Sequence, residues 1–453
     1  MSGRFDLPES GPLAQVRFPS IVRDRTANGL HVWSIAQDVV PVAVVTLVIP
    51  HGSADDPAAS HGLASLTADM LDEGAGDRDA IALSAALARM GTQLDIDVVP
   101  DATLISFTSL ARCLEPSLAL LADIVIRPRL LDVDFQRVRE LRLSRLRQLS
   151  QSASSQADRA FVTAVFGAHP YGHGSMGTTT ALSAMTAADA RGFWARAYKP
   201  AEATLIVGGA VGRDAVLGLA ERVFGAWVGV EAPPTPAAEP VQAPPPDPSI
   251  LLVDRPNAPQ SELRVGHVGP PRRTDAYYSL VTMNALLGGQ FMSRINKVLR
   301  EEKGVTYGAR SAFDFRRMAG SFSAESNVQG DRTAESVGDI LIELDEIGHE
   351  GGVPADELEP GKASLTRGYV RQFETPAQLV RAGSQLAIHG LDDDVFDRFV
   401  PMVDAVTTAD VTRVARAFVR PSEAVVIVAG DASKCQIPLE ALGRSVRVVT
   451  PDF

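Results

Sequence analysis

Cysteine is nearly absent from this 453-residue chain: Cys113 and Cys435 stand far apart, outside any CxxC or Cys/His spacing. Two isolated thiols exclude a disulfide-stapled module and a thiolate metal site, and the length suffices for about three domains or two large ones. Basic residues are also short, 43 Lys and Arg against 55 Asp and Glu, a formal charge of −12 with no basic run to offset it. That excludes a general binder of nucleic acid or anionic membrane, since both depend on cations meeting phosphate. Long apolar runs are missing too. The longest, VVPVAVVTLVIP at 39–50, is well below the roughly 20 residues that span a bilayer, and its β-branched content reads as a buried strand. The opening MSGRFDLPESGPLAQ has neither a basic n-region nor an apolar h-region. The expected location is therefore cytoplasmic, or periplasmic if an export signal has been removed.

Proline, by contrast, is concentrated. EAPPTPAAEPVQAPPPDPS, residues 231–249, holds eight of the thirty prolines, a composition that favours extended polyproline II and reads as a semi-rigid linker. It divides the chain into 1–230 and 250–453, and the two parts repeat each other. AMTAADARGFWARAYKPAEATLIVGG (184–209) matches AVTTADVTRVARAFVRPSEAVVIVAG (405–430), with Thr186, Asp189, Pro200, Glu202 and Gly209 meeting Thr407, Asp410, Pro421, Glu423 and Gly430. Each copy reads as a Thr-capped helix with Asp in its first turn, then a Pro-containing turn and a β-branched strand. Helical periodicity recurs at 59–71, 131–149 and 275–300, and strand alternation at 30–37, 94–108 and 305–315. The expected fold is α+β: two homologous domains, each a largely antiparallel sheet covered by helices.

The chemistry-bearing residues are sparse. None of the eight histidines stands in HExxH or HxxEH, and GxSxG, P-loop and dinucleotide glycine patterns are absent. His51 and His61 flank a loop and helix start near Asp55, Asp56 and Asp69. An irregular metal site is conceivable there, but such groups usually cap helices or face solvent. In LLGGQFMSRINKVLREEKGVTYGARSAF (286–313) a helix from Ser293 to Lys303 should stop at Gly304, with a strand resuming at Val305. Arg300 and Tyr307 would then converge at a helix-to-strand corner, as a donor pair for a peptide carbonyl or an oxyanion. The alternative is an Arg beside its own helix C-terminus and a half-buried strand aromatic.

The duplication, HPYGHGSMGT at 169–178, and LLGGQFMSR followed by LREEKGVTY resemble the pitrilysin/insulinase family of inverted-motif zinc peptidases, which includes the mitochondrial processing peptidase. The resemblance runs from about Val22 to Leu442. The family reads G-S-x-x-E, then G-L-A-H-F-L-E-H-M, where this chain has GSADDPAASHGLASLTADML. Gly52-Ser53, Gly62-Leu63-Ala64 and Met70 fix the register, so the zinc histidines fall on Ser65 and Asp69 and the catalytic glutamate on Ala68. The third ligand, a glutamate on a later helix, falls at Ser144 or Arg145. None of these can hold or use a zinc ion in the family's manner. Arg300 and Tyr307, however, match the family's Arg and Tyr in the same R-E-x-x-G-x-x-Y context.

The resemblance therefore implies a non-zinc subunit of a heteromeric zinc endopeptidase, inactive alone, with no metal or cofactor of its own. Zinc is expected in a homologous partner subunit, and the substrates would be extended peptides bound along a sheet edge; neither nucleic acid nor membrane is an expected partner. The alternative is an inactive structural, assembly or peptide-binding relative, as among the core subunits of a respiratory complex. Other features have plainer expectations. HPYG should shape a turn with His169 and Tyr171 packing or capping, the Arg-rich stretch 137–147 should be a solvated helix face, and most of Phe291, Phe313, Phe315 and Phe322 should pack in the core.

Overall fold

A computed structural model describes residues 17–229 and 249–453; the opening sixteen residues and all of the Pro-rich segment except Ser249 lie outside them. The first sheet contains β1 (Ile21–Arg25), β2 (His31–Ala36) and β3 (Val42–Ile49). A two-residue ribbon, β4 (Gly74–Ala75) with β5 (Arg78–Asp79), follows, and β6 (Leu94–Val99), β7 (Ala102–Leu110) and β8 (Thr204–Gly209) complete the sheet in the order β1-β2-β8-β3-β7-β6. The second is built from β9 (Ile250–Asp254), β10 (Gln260–Gly269), β11 (Ala309–Asp314), β12 (Gly320–Gln329), β13 (Val425–Gly430) and β14 (Val446–Val448), ordered β11-β12-β10-β13-β9-β14. All pairings are antiparallel except β2 with β8 and β9 with β13 and β14.

The internal repeat is visible in this topology. Helix Ala187–Ala197 leads into β8 and helix Thr408–Phe418 into β13. Each of these strands lies between a parallel neighbour (β2, β9) and an antiparallel one (β3, β10). Both helices start on a capping box, in which Asp189 accepts from the Thr186 amide at 2.8 Å and Asp410 from the Thr407 amide at 3.0 Å.

Each sheet buries one face against its own helices, around Leu47, Leu66, Leu118 and Phe193 in the first half and Val265, Leu280, Phe322 and Val411 in the second. The opposite faces are covered reciprocally. Helix Pro376–His389, from the second half, lays Leu379, Val380 and Leu386 on the first sheet beside Val48 and Ile206. Helix Ala153–Phe166, from the first half, lays Ala157 and Phe161 on Val425 and Ile427 of the second. At roughly 1.5–3 kcal/mol for each large apolar side chain buried, this exchange contributes several kcal/mol to holding the halves together. Gly208 permits the approach: a Cβ there would lie 2.6 Å from Val380 Cγ2.

A polar clasp joins the halves as well. The Tyr171 hydroxyl donates to the buried Asp101 carboxylate and accepts from the Met318 amide at 3.2 Å, while Asp101 accepts from the Arg317 amide at 2.9 Å. HPYG is thus a turn, with His169 Nδ1 accepting from the Tyr171 amide at 3.0 Å. Phe322 is wholly buried, and Phe313 and Phe315 pack partly buried against the second core. Phe291 departs from the core expectation and is 61% exposed.

Two expected elements are divided. The helical stretch 275–300 is helix Tyr277–Leu287 and a second helix from Arg294. At the break a Cβ on Gly288 would lie 2.4 Å from the Ser311 amide, which donates to Gly288 O at 3.0 Å. The stretch 94–108 is a hairpin, β6 and β7 joined at Pro100–Asp101.

Candidate functional site

In the first half, helix Leu63–Asp69 begins where buried Asp56 accepts from the amides of Gly62 (2.6 Å) and Ala64 (2.7 Å). A carboxylate at a helix start is favoured by the free amides there and by the helix dipole. Burial nevertheless pushes the Asp56 carboxyl up to about 7. Ser65 and Ala68 are buried, and Asp69 at the end of the helix is half exposed. Its partner is Arg142, whose Nε donates to Asp69 Oδ2 at 3.0 Å with Nη2 on the same oxygen. Arg142 comes from helix Asp132–Leu149 on a stripe with buried Val138 and Leu146, spaced four residues apart.

This corrects two expectations. Ser144 and Arg145 are exposed and face away, so Arg142 is the side chain that the later helix turns toward Asp69. The Arg-rich stretch is therefore not wholly a solvated face. An arginine at a core-stripe position was the available signal, submerged among other arginines. One hydroxyl, one methyl and one carboxylate already paired with a guanidinium do not fit a zinc ion. No group of three His, Cys, Asp or Glu side chains suited to a metal occurs among the described residues.

The nearby histidines are engaged locally. His51 lies between Asp55 (3.1 Å) and Glu202 (2.9 Å); burial lowers its affinity for a proton, but hydrogen bonds and charge from these carboxylates outweigh that and raise it. His61 stacks on His173 with centroids 3.9 Å apart. Burial, then the charge of neighbouring His61, brings His173 down to about 4, so it stays neutral near pH 7.

In the second half, the helical segment from Arg294 passes into a π-helical turn, Lys297–Glu302, that contains Arg300. Such turns displace side chains from α-helical register and recur at functional sites. Gly304 ends it at φ +64°, a left-handed conformation that suits glycine. The segment is held at both ends. Arg294 makes two 2.6 Å contacts with Glu357, and Lys303 reaches Glu335 (2.8 Å) and Asp339 (2.7 Å). Arg300 has no carboxylate partner among the described residues, and its guanidinium lies 3.8 Å from the centre of the Phe291 ring.

Tyr307 lies on a loop, not on the strand expected from Val305, because β11 begins at Ala309. Side-chain bonds displace regular pairing there. Thr306 Oγ1 donates to Asn327 O at 2.6 Å and accepts from the Gly308 amide at 3.1 Å. Buried Asn296 brackets Ala309, accepting from its amide at 2.9 Å and donating to its carbonyl at 2.5 Å. The backbone on both sides of Tyr307 is thus fixed while its side chain is 96% exposed. Sequence reasoning missed Asn296 and Thr306 as supports, because only the folded loop brings them onto it. Tyr307 and Phe291 line a groove of about 530 Å³ with Asn296, Arg264 and Glu325. Phe291 thereby links Arg300 to the groove, although no hydrogen bond joins Arg300 to Tyr307.

The helix-covered pair of open sheets defines the class: a two-domain body of the metallopeptidase clam type. Residues 31–179 match the family described as "Insulinase (Peptidase family M16)", and residues 184–365 match "Peptidase M16 inactive domain". The chain belongs to peptidase family M16. An uncharacterized zinc protease of Mycobacterium leprae is 25% identical over 93% of this chain and 94% of its own length. One from Mycobacterium tuberculosis is 24% identical over 92% and 94%. Among solved structures, a peptidase M16 inactive domain from Pseudomonas fluorescens superposes with TM-score 0.83 at 23% identity, covering 91% of this chain and 98% of that one. A protease from Helicobacter pylori superposes with TM-score 0.83 at 18% identity, covering 91% and 100%.

Proposed function

We propose that this chain is the non-zinc subunit of a heteromeric M16 endopeptidase. The observation that carries the reading is Tyr307: its backbone is clamped on both sides, yet its side chain is almost wholly exposed, on a groove shared with Phe291, whose ring carries an arginine, Arg300, without a carboxylate partner among the described residues. Folding leaves a large aromatic in water at little benefit to stability, so a contact outside the chain is the natural use for it. In this reading a homologous partner supplies the metal chemistry. Tyr307 donates a hydrogen bond to the oxyanion that forms as the peptide carbonyl is attacked, and Arg300 holds a neighbouring carbonyl.

One sheet edge is suited to an extended peptide and another is not. The outer edge of β11 is occupied at Ser311, whose amide donates to Gly288 O at 3.0 Å and whose carbonyl accepts from Asn284 at 2.9 Å. The outer edge of β6 has no backbone partner among the described residues, and it carries the exposed Asp95 and Asp97. Strand addition at β6 would suit a neutral or basic peptide.

The test is co-purification with a homologous chain bearing HxxEH, followed by a peptide-cleavage assay of the pair. Unchanged turnover after Tyr307→Phe and Arg300→Ala would end the catalytic reading in favour of a scaffold. Metal analysis of the isolated chain should find no stoichiometric zinc, and one zinc per chain would overturn our assignment of Ser65, Ala68 and Asp69.

A further inference from the structure

A second cavity, of about 570 Å³, lies among the helices of the second half and includes neither Arg300 nor Tyr307. Its walls are aromatic: Tyr277, Tyr369, Phe373, Phe396 and Phe399 all contribute. Tyr369 stacks on Phe399 with centroids 4.2 Å apart and 12° between planes, and meets Phe373 edge-on at 5.1 Å. This volume and composition are those of a small-molecule site, an apolar enclosure with a few polar groups to orient the occupant.

The polar groups are specific in sign. Arg272 and Arg381 line the cavity, and neither guanidinium has a carboxylate partner among the described residues. Arg272 lies 3.6 Å from the centre of the Tyr277 ring, which fixes it in place without neutralising it. Arg381 projects from helix Pro376–His389 on the same face as Gln378 and Gln385, while Leu379, Val380 and Leu386 of that helix grip the first sheet. Tyr369 is 5% exposed, and its hydroxyl has no hydrogen-bond partner among the described residues. The hydroxyl is therefore free to donate to an occupant of the cavity that Arg272 and Arg381 also line.

We infer that this cavity binds an apolar, preferentially aromatic, group that bears a carboxylate. The ring stacks among Phe373, Phe396 and Phe399, and the carboxylate lies between Arg381 and Arg272 within reach of the Tyr369 hydroxyl. A planar carboxylate matches the guanidinium fork in a way that a neutral amide cannot. Two sources share this chemistry: a free aromatic acid, and a peptide C-terminus that ends in an aromatic residue.

The experiment is calorimetric titration of the full chain with 3-phenylpropionate, with Ala-Ala-Phe, and with the amide of Ala-Ala-Phe. Saturable binding of at least one acid is expected, with the amide at least tenfold weaker than the tripeptide acid wherever the tripeptide binds. Binding of 3-phenylpropionate alone identifies a free acid as the source, and binding of the tripeptide acid identifies a peptide terminus. Arg381→Glu should abolish binding and the near-isosteric Tyr369→Phe weaken it severalfold, with unfolding curves confirming that both variants fold. Arg300→Ala should leave it unchanged, which separates this cavity from the Arg300/Tyr307 groove. No saturable binding of either acid at millimolar concentration, equal binding of acid and amide, or binding indifferent to Arg381→Glu would overturn the inference.

Discussion

The two halves share one plan, yet they treat their chemistry-bearing corners in opposite ways. In the first, Asp69 is closed by Arg142, a guanidinium almost entirely withdrawn from water. In the second, Arg300 and Tyr307 stand on a segment braced by Arg294, Lys303, Asn296 and Thr306, but are themselves left without polar partners among the described residues. A closed polar group serves the fold, because what it needs is already inside the chain. An open one held on rigid backbone contributes little to the fold and is available to something else. The contrast predicts that substitutions at the closed corner register in stability and those at the open corner in function.

The largest expected effect lies at the open corner. In the assembled peptidase proposed above, Tyr307→Phe should lower turnover by about 10²–10³-fold, the usual consequence of losing one oxyanion donor. The same substitution should move the unfolding free energy of the isolated chain by no more than about 0.5 kcal/mol, because the side chain touches so little. Chemical denaturation checks the second half of that statement, and a marked loss of stability would break the comparison.

At the closed corner the asymmetry of exposure decides the order. Asp69→Ala strands the Arg142 guanidinium, whose side chain is 5% exposed, and should cost about 3 kcal/mol. Arg142→Met leaves behind a carboxylate that is 46% exposed and can turn to water, so about 1 kcal/mol is expected. Urea unfolding of both variants tests this, and equal costs would mean that packing rather than charge dominates.

Acid should act on closed groups too. His267, on β10, is held neutral: its Nε2 accepts from the Arg420 amide at 3.0 Å, and burial brings its pKa down from 6.5 to about 4. The unfolded chain therefore binds the proton more readily than the folded one. Stability is full above about pH 6.5 and falls as the pH drops toward 4, by roughly 2 kcal/mol at pH 5. His267→Gln should flatten that limb of the stability profile, and an unchanged limb would assign the acid sensitivity to other groups such as His173.

Most of the framework was legible because it is periodic. The duplicated Thr-x-x-Asp caps and the β-branched runs specified helix Ala187–Ala197, helix Thr408–Phe418, β8 and β13, and Asp132–Leu149 fell within one residue of its expected start. Other features were hidden for physical reasons. The glycines at 288 and 289 break a stretch whose apolar spacing is otherwise helical, and the break is dictated by contact with Ser311, distant in sequence. Tyr307 follows strand-like residues, but Thr306 and Asn296 satisfy the backbone there with side chains, so pairing starts only at Ala309. Arg142 was obscured by the arginines around it. The reciprocal placement of helices Ala153–Phe166 and Pro376–His389 had no local signature, since an amphipathic helix specifies an apolar face and not which sheet receives it.

The smallest predicted effect is a control on the comparison itself. Thr186 and Thr407 occupy equivalent caps, and each hydroxyl donates to its aspartate at 2.7 Å. Replacing either with Ala removes one side-chain cap from a surface helix end and should cost about 1 kcal/mol. Neither position touches the Asp69–Arg142 pair or the Arg300/Tyr307 groove, so the costs should agree within about 0.5 kcal/mol and add in the double variant. Agreement would mean that the halves remain energetically alike where their sequences repeat, leaving their divergence at the two corners. A threefold difference between Thr186→Ala and Thr407→Ala would instead place one half nearer its unfolding limit, and the stability costs at the corners would then have to be compared against each half's own baseline.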